Sequence, residues 1–282
     1  MERPEILSIR VGPYIFDALA SGPEDGPLVI LLHGWPEFAS WWGHELPALG
    51  AAGYRALALE QRGYSPRARP SAIADYAPQR LVEDVLAVAD QLGRRRFHLL
   101  AHDWGGMVAW ALASAFSERL LSLSILSAPH PVALQEASRA DPAQYHRLDY
   151  VRFFRQTGHI AERALLANNA ERLRKAFGDR IPPALVTDSV RRMSEPGALT
   201  ATLSWYRAID DELTIPAARI GAPTLFIWGD EDMALGEDAA LRTASFVDGP
   251  YRFVRLRGRS HWLPNECNDE ILPIILNHLS NY

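Results

Sequence analysis

Ala101-His102-Asp103-Trp104-Gly105-Gly106 is the stretch on which the reading of this 282-residue chain turns. It follows Phe97-His98-Leu99-Leu100-Ala101, a mostly apolar run of the kind that forms a strand buried on both faces. It precedes an apolar helix from Gly106 to Phe116. Small residues at Ala101, Gly105 and Gly106 let the chain turn sharply and let the helix pack closely. Such a strand–turn–helix displays its central side chain at the end of the strand, and that side chain is the carboxylate of Asp103. A carboxylate there also suits a helix N-terminus with no chemistry at all. The rest of the chain has to decide between the two.

Working outward, short apolar runs alternate with helical patterns. Pro27 to Leu32, Arg55 to Leu59, Leu121 to Leu126 and Thr224 to Trp228 read as buried strands. Tyr251 to Leu256 alternates, as an edge strand does. Leu81, Val85, Leu86, Val88, Ala89 and Leu92 fall on one helix face, and Ile271 to Leu279 reads as a closing helix entered near Pro273. This alternation predicts an α/β fold, a mostly parallel central sheet with helices on both faces. From about Pro131 to Ala217 the alternation stops and the pattern is helical: Val151–Gln156, Ile160–Phe177, Pro183–Met193 and Pro196–Asp210. The expected organisation is a core over 1–130, an inserted helical cap over 131–217 and the rest of the core over 218–282. Ala128-Pro129-His130-Pro131 and Ile215-Pro216 mark the joints.

Composition bounds the function. Hydrophobic residues are 48% and charged residues 22%, which excludes a disordered chain. Lys and Arg number 29 against 34 Asp and Glu, a net charge of −5 that argues against a nucleic-acid binder. The N-terminus does not read as a signal peptide, and no run suits a membrane span. With Cys267 the only cysteine, no internal disulfide can form, and a cytoplasmic location is expected. No His/Cys/carboxylate spacing resembles a metal site, and no Gly-rich phosphate loop occurs, so neither metal nor cofactor is expected.

Three further motifs stand at strand exits. His33-Gly34-Trp35-Pro36-Glu37 follows the first buried strand, Trp228-Gly229-Asp230-Glu231-Asp232 a late one, and Arg259-Ser260-His261-Trp262 the last. The chain order Asp103, Asp232, His261 is nucleophile, acid, histidine. Each motif has a bland reading as a polar turn; four in this order make coincidence improbable.

Together with Gln61-Arg62-Gly63-Tyr64-Ser65, these motifs resemble the epoxide hydrolase branch of the α/β-hydrolase superfamily, along nearly the whole chain. Haloalkane dehalogenases share the Asp nucleophile and the tryptophan after it. The resemblance implies an α/β-hydrolase fold and an oxyanion hole made by the backbone N–H groups of Trp35 and Trp104. It implies a small-molecule substrate, an epoxide or a halogenated compound, and is compatible with a homodimer. It also implies two cap tyrosines that protonate the departing epoxide oxygen. Tyr206, in Ser204-Trp205-Tyr206-Arg207, matches the second. Where the first is expected, the chain has Phe153-Phe154-Arg155-Gln156, and Tyr150, one helical turn earlier, stands in for it. His33, Phe153, His130 and Trp262 are expected to line the pocket, and Trp41 and Trp42 point to aromatic walls. Epoxide hydrolysis through an ester on Asp103 is the first reading. Dehalogenation with the same triad is the second. A non-catalytic protein that keeps the fold is a third, and a serine esterase using Ser65 or Ser127, neither in such a turn, a fourth.

Overall fold

The computed structural model describes residues 3–209 and 218–282. Eight strands, β1 (Glu5–Val11), β2 (Tyr14–Ser21), β3 (Leu28–Leu32), β4 (Arg55–Leu59), β5 (Phe97–His102), β6 (Leu120–Leu126), β7 (Thr224–Gly229) and β8 (Tyr251–Leu256), form one sheet in the order β1-β2-β4-β3-β5-β6-β7-β8. From β4 to β8 neighbours run parallel, while β1–β2 and β2–β4 pair antiparallel. Parallel strands must be buried on both faces because their crossovers place helices there. β3 shows the consequence: Leu28, Ile30 and Leu32 enter one core cluster, Val29 and Leu31 the other. Helices α1 (Glu45–Ala51), α2 (Pro78–Gln91) and α3 (Trp104–Ala115) connect the first strands.

Among the described residues, six helices stand between β6 and β7: α4 (Pro131–Ala140), α5 (Pro142–Arg147), α6 (Asp149–Phe154), α7 (Ile160–Ala176), α8 (Pro183–Met193) and α9 (Ala198–Arg207). The expected continuous helix from Ile160 is interrupted. Ala167 is extended, and Asn168, Asn169 and Ala170 have positive φ. Paired asparagines are poor helix formers and tolerate the left-handed region, which accounts for a break at this point. The expected end of the last cap helix at Asp210 and the joint at Ile215-Pro216 lie outside the described residues, so the division at 217 stays a proposal. After β7 come α10 (Glu237–Arg242), α11 (Leu263–Glu266) and α12 (Asn268–Leu279). The closing helix begins at Asn268, not near Pro273, which sits inside it in the second turn and forgoes one backbone bond there. None of the described helices is long and apolar enough to cross a membrane.

Candidate active site

At the turn from β5 into α3, Asp103 has φ 50° and ψ −120°, a conformation that non-glycine residues rarely adopt. Its side chain makes no capping bond to the helix. That answers the bland reading, because a carboxylate placed to cap would bond the N–H groups behind it. Instead Oδ1 accepts the Trp35 backbone N–H at 2.8 Å, and Oδ2 lies 3.4 Å from His261 Nε2. On the far side of the ring, His261 Nδ1 is 2.8 Å from Asp232 Oδ2. Asp232 Oδ1 accepts the N–H groups of Ala234 and Leu235 at 2.8 and 2.9 Å. Asp103, His261 and Asp232 thus converge although they are far apart in the chain.

The turn needs its glycines for space. A Cβ on Gly34 would lie 2.4 Å from Asp103 Cβ, and one on Gly105 would lie 2.3 Å from the Leu32 carbonyl oxygen. Glu37, quoted above only as part of its motif, turns out to brace the site. It accepts the Gly34 N–H at 2.6 Å and meets His102 Nδ1 at 2.9 Å, while His102 Nε2 is 2.8 Å from the His261 carbonyl oxygen. A buried carboxylate needs such partners. Its signal in the sequence, an acid between Pro36 and Phe38 just past a buried strand, was present but was not read as a brace.

Electrostatics sets the protonation states. Burial opposes ionisation of Asp103, yet the His261 side chain and the Trp35 N–H outweigh it and hold the carboxyl below its ordinary range. Burial also opposes protonation of His261, but Asp232 and Asp103 outweigh it and raise its pKa well above the usual value. Both tyrosines are pushed up chiefly by burial and then by nearby negative groups, Asp103 among them, so at neutral pH they keep their protons.

Two cavities share Asp103, Tyr150 and Tyr206 in their walls. The smaller, about 50 Å³, adds Trp104 and a largely aliphatic wall with Met107, Leu134, Leu148 and Leu235. The larger, about 150 Å³, has Trp35, Phe154, His261 and Trp262. Tyr206 is held from several sides. Trp205 donates to the Arg62 carbonyl at 2.9 Å, the Trp104 and Tyr206 rings meet edge to face at 4.9 Å between centroids, and the Tyr150 and Tyr206 rings are 6.2 Å apart.

Four expectations for the lining need correction. Phe153 faces away, its ring under the Arg172 guanidinium at 4.0 Å, and Phe154, about 100° further round α6, takes the wall position. His33 is fully buried against Tyr64 and Phe38, with Nδ1 on the Gly34 carbonyl, behind the loop rather than in the cavity. His130 accepts the Val132 N–H at the start of α4 and stacks on Phe246, 4.6 Å between centroids, which turns it into the core. Burial lowers both imidazoles to a pKa of about 4. Trp41 stacks on Phe177 and packs at a tilt against Trp262, and Trp42 packs in the cluster on the other face of the sheet, so both serve the core. The candidate serine Ser65 is tied into the backbone, donating to the Glu60 carbonyl and accepting the Asp17 N–H.

Residues 27–264 match the family model described as the alpha/beta hydrolase fold. The chain belongs to that family and is a hydrolase of that fold. It is 36% identical over 268 residues to the AB hydrolase superfamily protein YfhM of Bacillus subtilis, covering 93% of each chain. It is 33% identical over 302 residues to epoxide hydrolase A of Mycobacterium tuberculosis, covering 92% of each. A solved structure of a novel epoxide hydrolase from metagenomes of hot environments superposes over 100% of both chains with a TM-score of 0.88 at 28% identity. Within the family, the chain lies in the epoxide hydrolase-like branch.

A buried carboxylic acid near the site makes a stability prediction. Glu45, fully buried at the start of α1, is pushed up from 4.5 to a pKa of about 8, chiefly by burial. A carboxyl that holds its proton more tightly in the folded state loses stability as pH rises, here between 4.5 and about 8. Glu45→Gln, which never ionises, is expected to gain stability over the parent on going from pH 5 to pH 9, by on the order of a few kcal/mol. Urea melts of both proteins at the two pH values check this; an equal difference at both would refute it.

Proposed function

We propose that the protein hydrolyses an epoxide to a vicinal diol through an ester on Asp103. The observation that carries this reading is that two protonated tyrosines, Tyr150 and Tyr206, share cavity walls with an ionised carboxylate aligned on His261. The names of the relatives, epoxide hydrolase A among them, support it.

In this mechanism Asp103 Oδ2 attacks an epoxide carbon, the C–O bond breaks, and the departing oxygen takes a proton from a tyrosine. Oδ1, held by the Trp35 N–H, becomes the ester carbonyl oxygen. The tyrosinate regains its proton from the imidazolium of His261. Ester formation removes the Asp103 charge that had favoured that imidazolium, so His261 becomes a base. It takes a proton from water, which attacks the Asp103 carboxyl carbon. The oxyanion forms facing the Trp35 N–H, and that of Trp104 is the second donor in this proposal. Collapse breaks the ester C–O bond, and the departing alkoxide takes the proton from His261 to leave as the diol; the carboxylic acid left on Asp103 then gives its proton to His261, which restores the carboxylate and the imidazolium. No step calls for a metal or cofactor. Trp262 shapes the wall beside His261. The same reading takes the protein as cytoplasmic, in keeping with its one buried unpaired cysteine, Cys267, and is compatible with a homodimer.

A second reading, dehalogenation, is favoured by one observation: Trp35, in the cavity wall, has a buried indole N–H without a hydrogen-bond partner, available to a halide. Displacing a halide needs no acid. The tyrosines therefore separate the two. Tyr206→Phe and Tyr150→Phe are expected to slow epoxide opening by about 10- to 10⁴-fold, and the pair of changes together more. Steady-state rates on a panel of apolar epoxides and haloalkanes measure this. Halide release that survives both changes, with epoxides untouched by the parent enzyme, would favour dehalogenation.

A further inference from the structure

We infer that Gln144 is a positioning residue for this reaction, holding the loop that carries Asp232 and tying it to the inserted helices; the inference rests on the Asp103 ester reading. The orientation of Asp232 is set by its own loop, since one of its oxygens accepts the Ala234 and Leu235 N–H groups while the other faces His261. That loop is short, and on its outer side the helix α5 holds it. Gln144, buried with 3% exposure, donates from Nε2 to the Ala234 carbonyl at 2.9 Å and accepts the Gly236 N–H on Oε1 at 2.7 Å. Arg147, nearly one turn on, donates to the carbonyls of Asp232 at 2.8 Å and Met233 at 3.1 Å.

A primary amide donates and accepts at once, as a neighbouring strand would, and so satisfies a backbone carbonyl and a backbone N–H together. Burying that amide is costly unless both ends are paired, and both are. Removing it leaves two loop groups without their partners and frees the Asp232 loop to shift. The next residues of the chain, Leu148 and Tyr150, stand in the cavity walls, so the same short segment carries both the clamp and the proposed proton donor.

Asp232 acts only through His261, and His261 is the base only after the ester has formed. A loosened loop therefore affects the two half-reactions unequally, which a general loss of structure would not do. In full-length Gln144→Leu, ester breakdown is expected to slow by about 10- to 100-fold, with ester formation changed less than about threefold. Rapid-quench single turnovers with styrene oxide, read by intact-protein mass, give both rates. Gln144→Glu, which can accept from Gly236 but cannot donate to Ala234, should fall between. Arg147→Ala removes an exposed side chain and decides the matter if Gln144→Leu does not fold; a few-fold slowing confined to breakdown is expected. Equal slowing of both steps, or no change in either, overturns the inference. Failure of the ester reading itself shows up separately, as absence of any adduct in His261→Gln.

Discussion

Asp103→Asn is expected to lower epoxide turnover by at least about 10⁴-fold while leaving the fold intact. The amide matches the carboxylate in shape, and its oxygen can still accept the Trp35 N–H. Asparagine also tolerates a positive φ better than most residues, so the turn at φ 50° suits it. No helix cap is lost, because Asp103 makes no capping bond. What disappears is the nucleophile. An amide oxygen does not displace an epoxide oxygen at a useful rate, and among the described residues of the cavity walls no other carboxylate is present to do so. Initial rates on freshly prepared protein, with melting temperature as a control for folding, measure this. Turnover within tenfold of the parent enzyme would remove Asp103 from the chemistry.

His261→Gln should give a loss of steady-state turnover of similar size, but through a different step. A carboxylate needs no base to become a nucleophile; the change removes the His261 side chain that does most to hold the Asp103 carboxyl low, but the Trp35 N–H still favours the ionised form and orients its Oδ1. The first half-reaction therefore proceeds. The second does not, because no group remains to take a proton from water. The expected time course is a burst that consumes about one equivalent of epoxide per protein molecule, followed by near silence. The parent protein is expected to continue turning over without such a stop. A variant that consumes no epoxide at all would place His261 in the first step instead.

The features that were plain in the sequence share a physical cause. Strands of a parallel sheet are buried on both faces, so they read as continuous apolar runs, and polar residues just beyond them stand out. Asp103 and Asp232 lie past such runs, at the carboxyl ends of β5 and β7, and His261 lies past the alternating edge strand β8, all at the end where ligands meet open α/β sheets. The hairpin of β1 and β2 was not read, since its side chains are half-exposed and its pattern is diluted by Ser8, Arg10 and Asp17. Errors inside the cap came from rotation. A wall position shifts from Phe153 to Phe154 with one residue of helix phase, which a short helix such as α6 does not fix. His33 and His130 were misplaced because a buried imidazole held by backbone groups looks in sequence like one that faces a cavity. Gln144 carried no signal, as its partners are main-chain atoms ninety and ninety-two residues away.

The most direct test of the account is the mass of His261→Gln after exposure to an apolar epoxide. The expected increase equals the whole mass of the epoxide, since ring opening expels nothing. Digestion should place that mass on the peptide carrying Asp103, and the shift should vanish in the Asp103→Asn, His261→Gln double variant. An adduct on any other residue, or unchanged mass across a broad panel of epoxides, would contradict the claim that Asp103 forms the covalent intermediate.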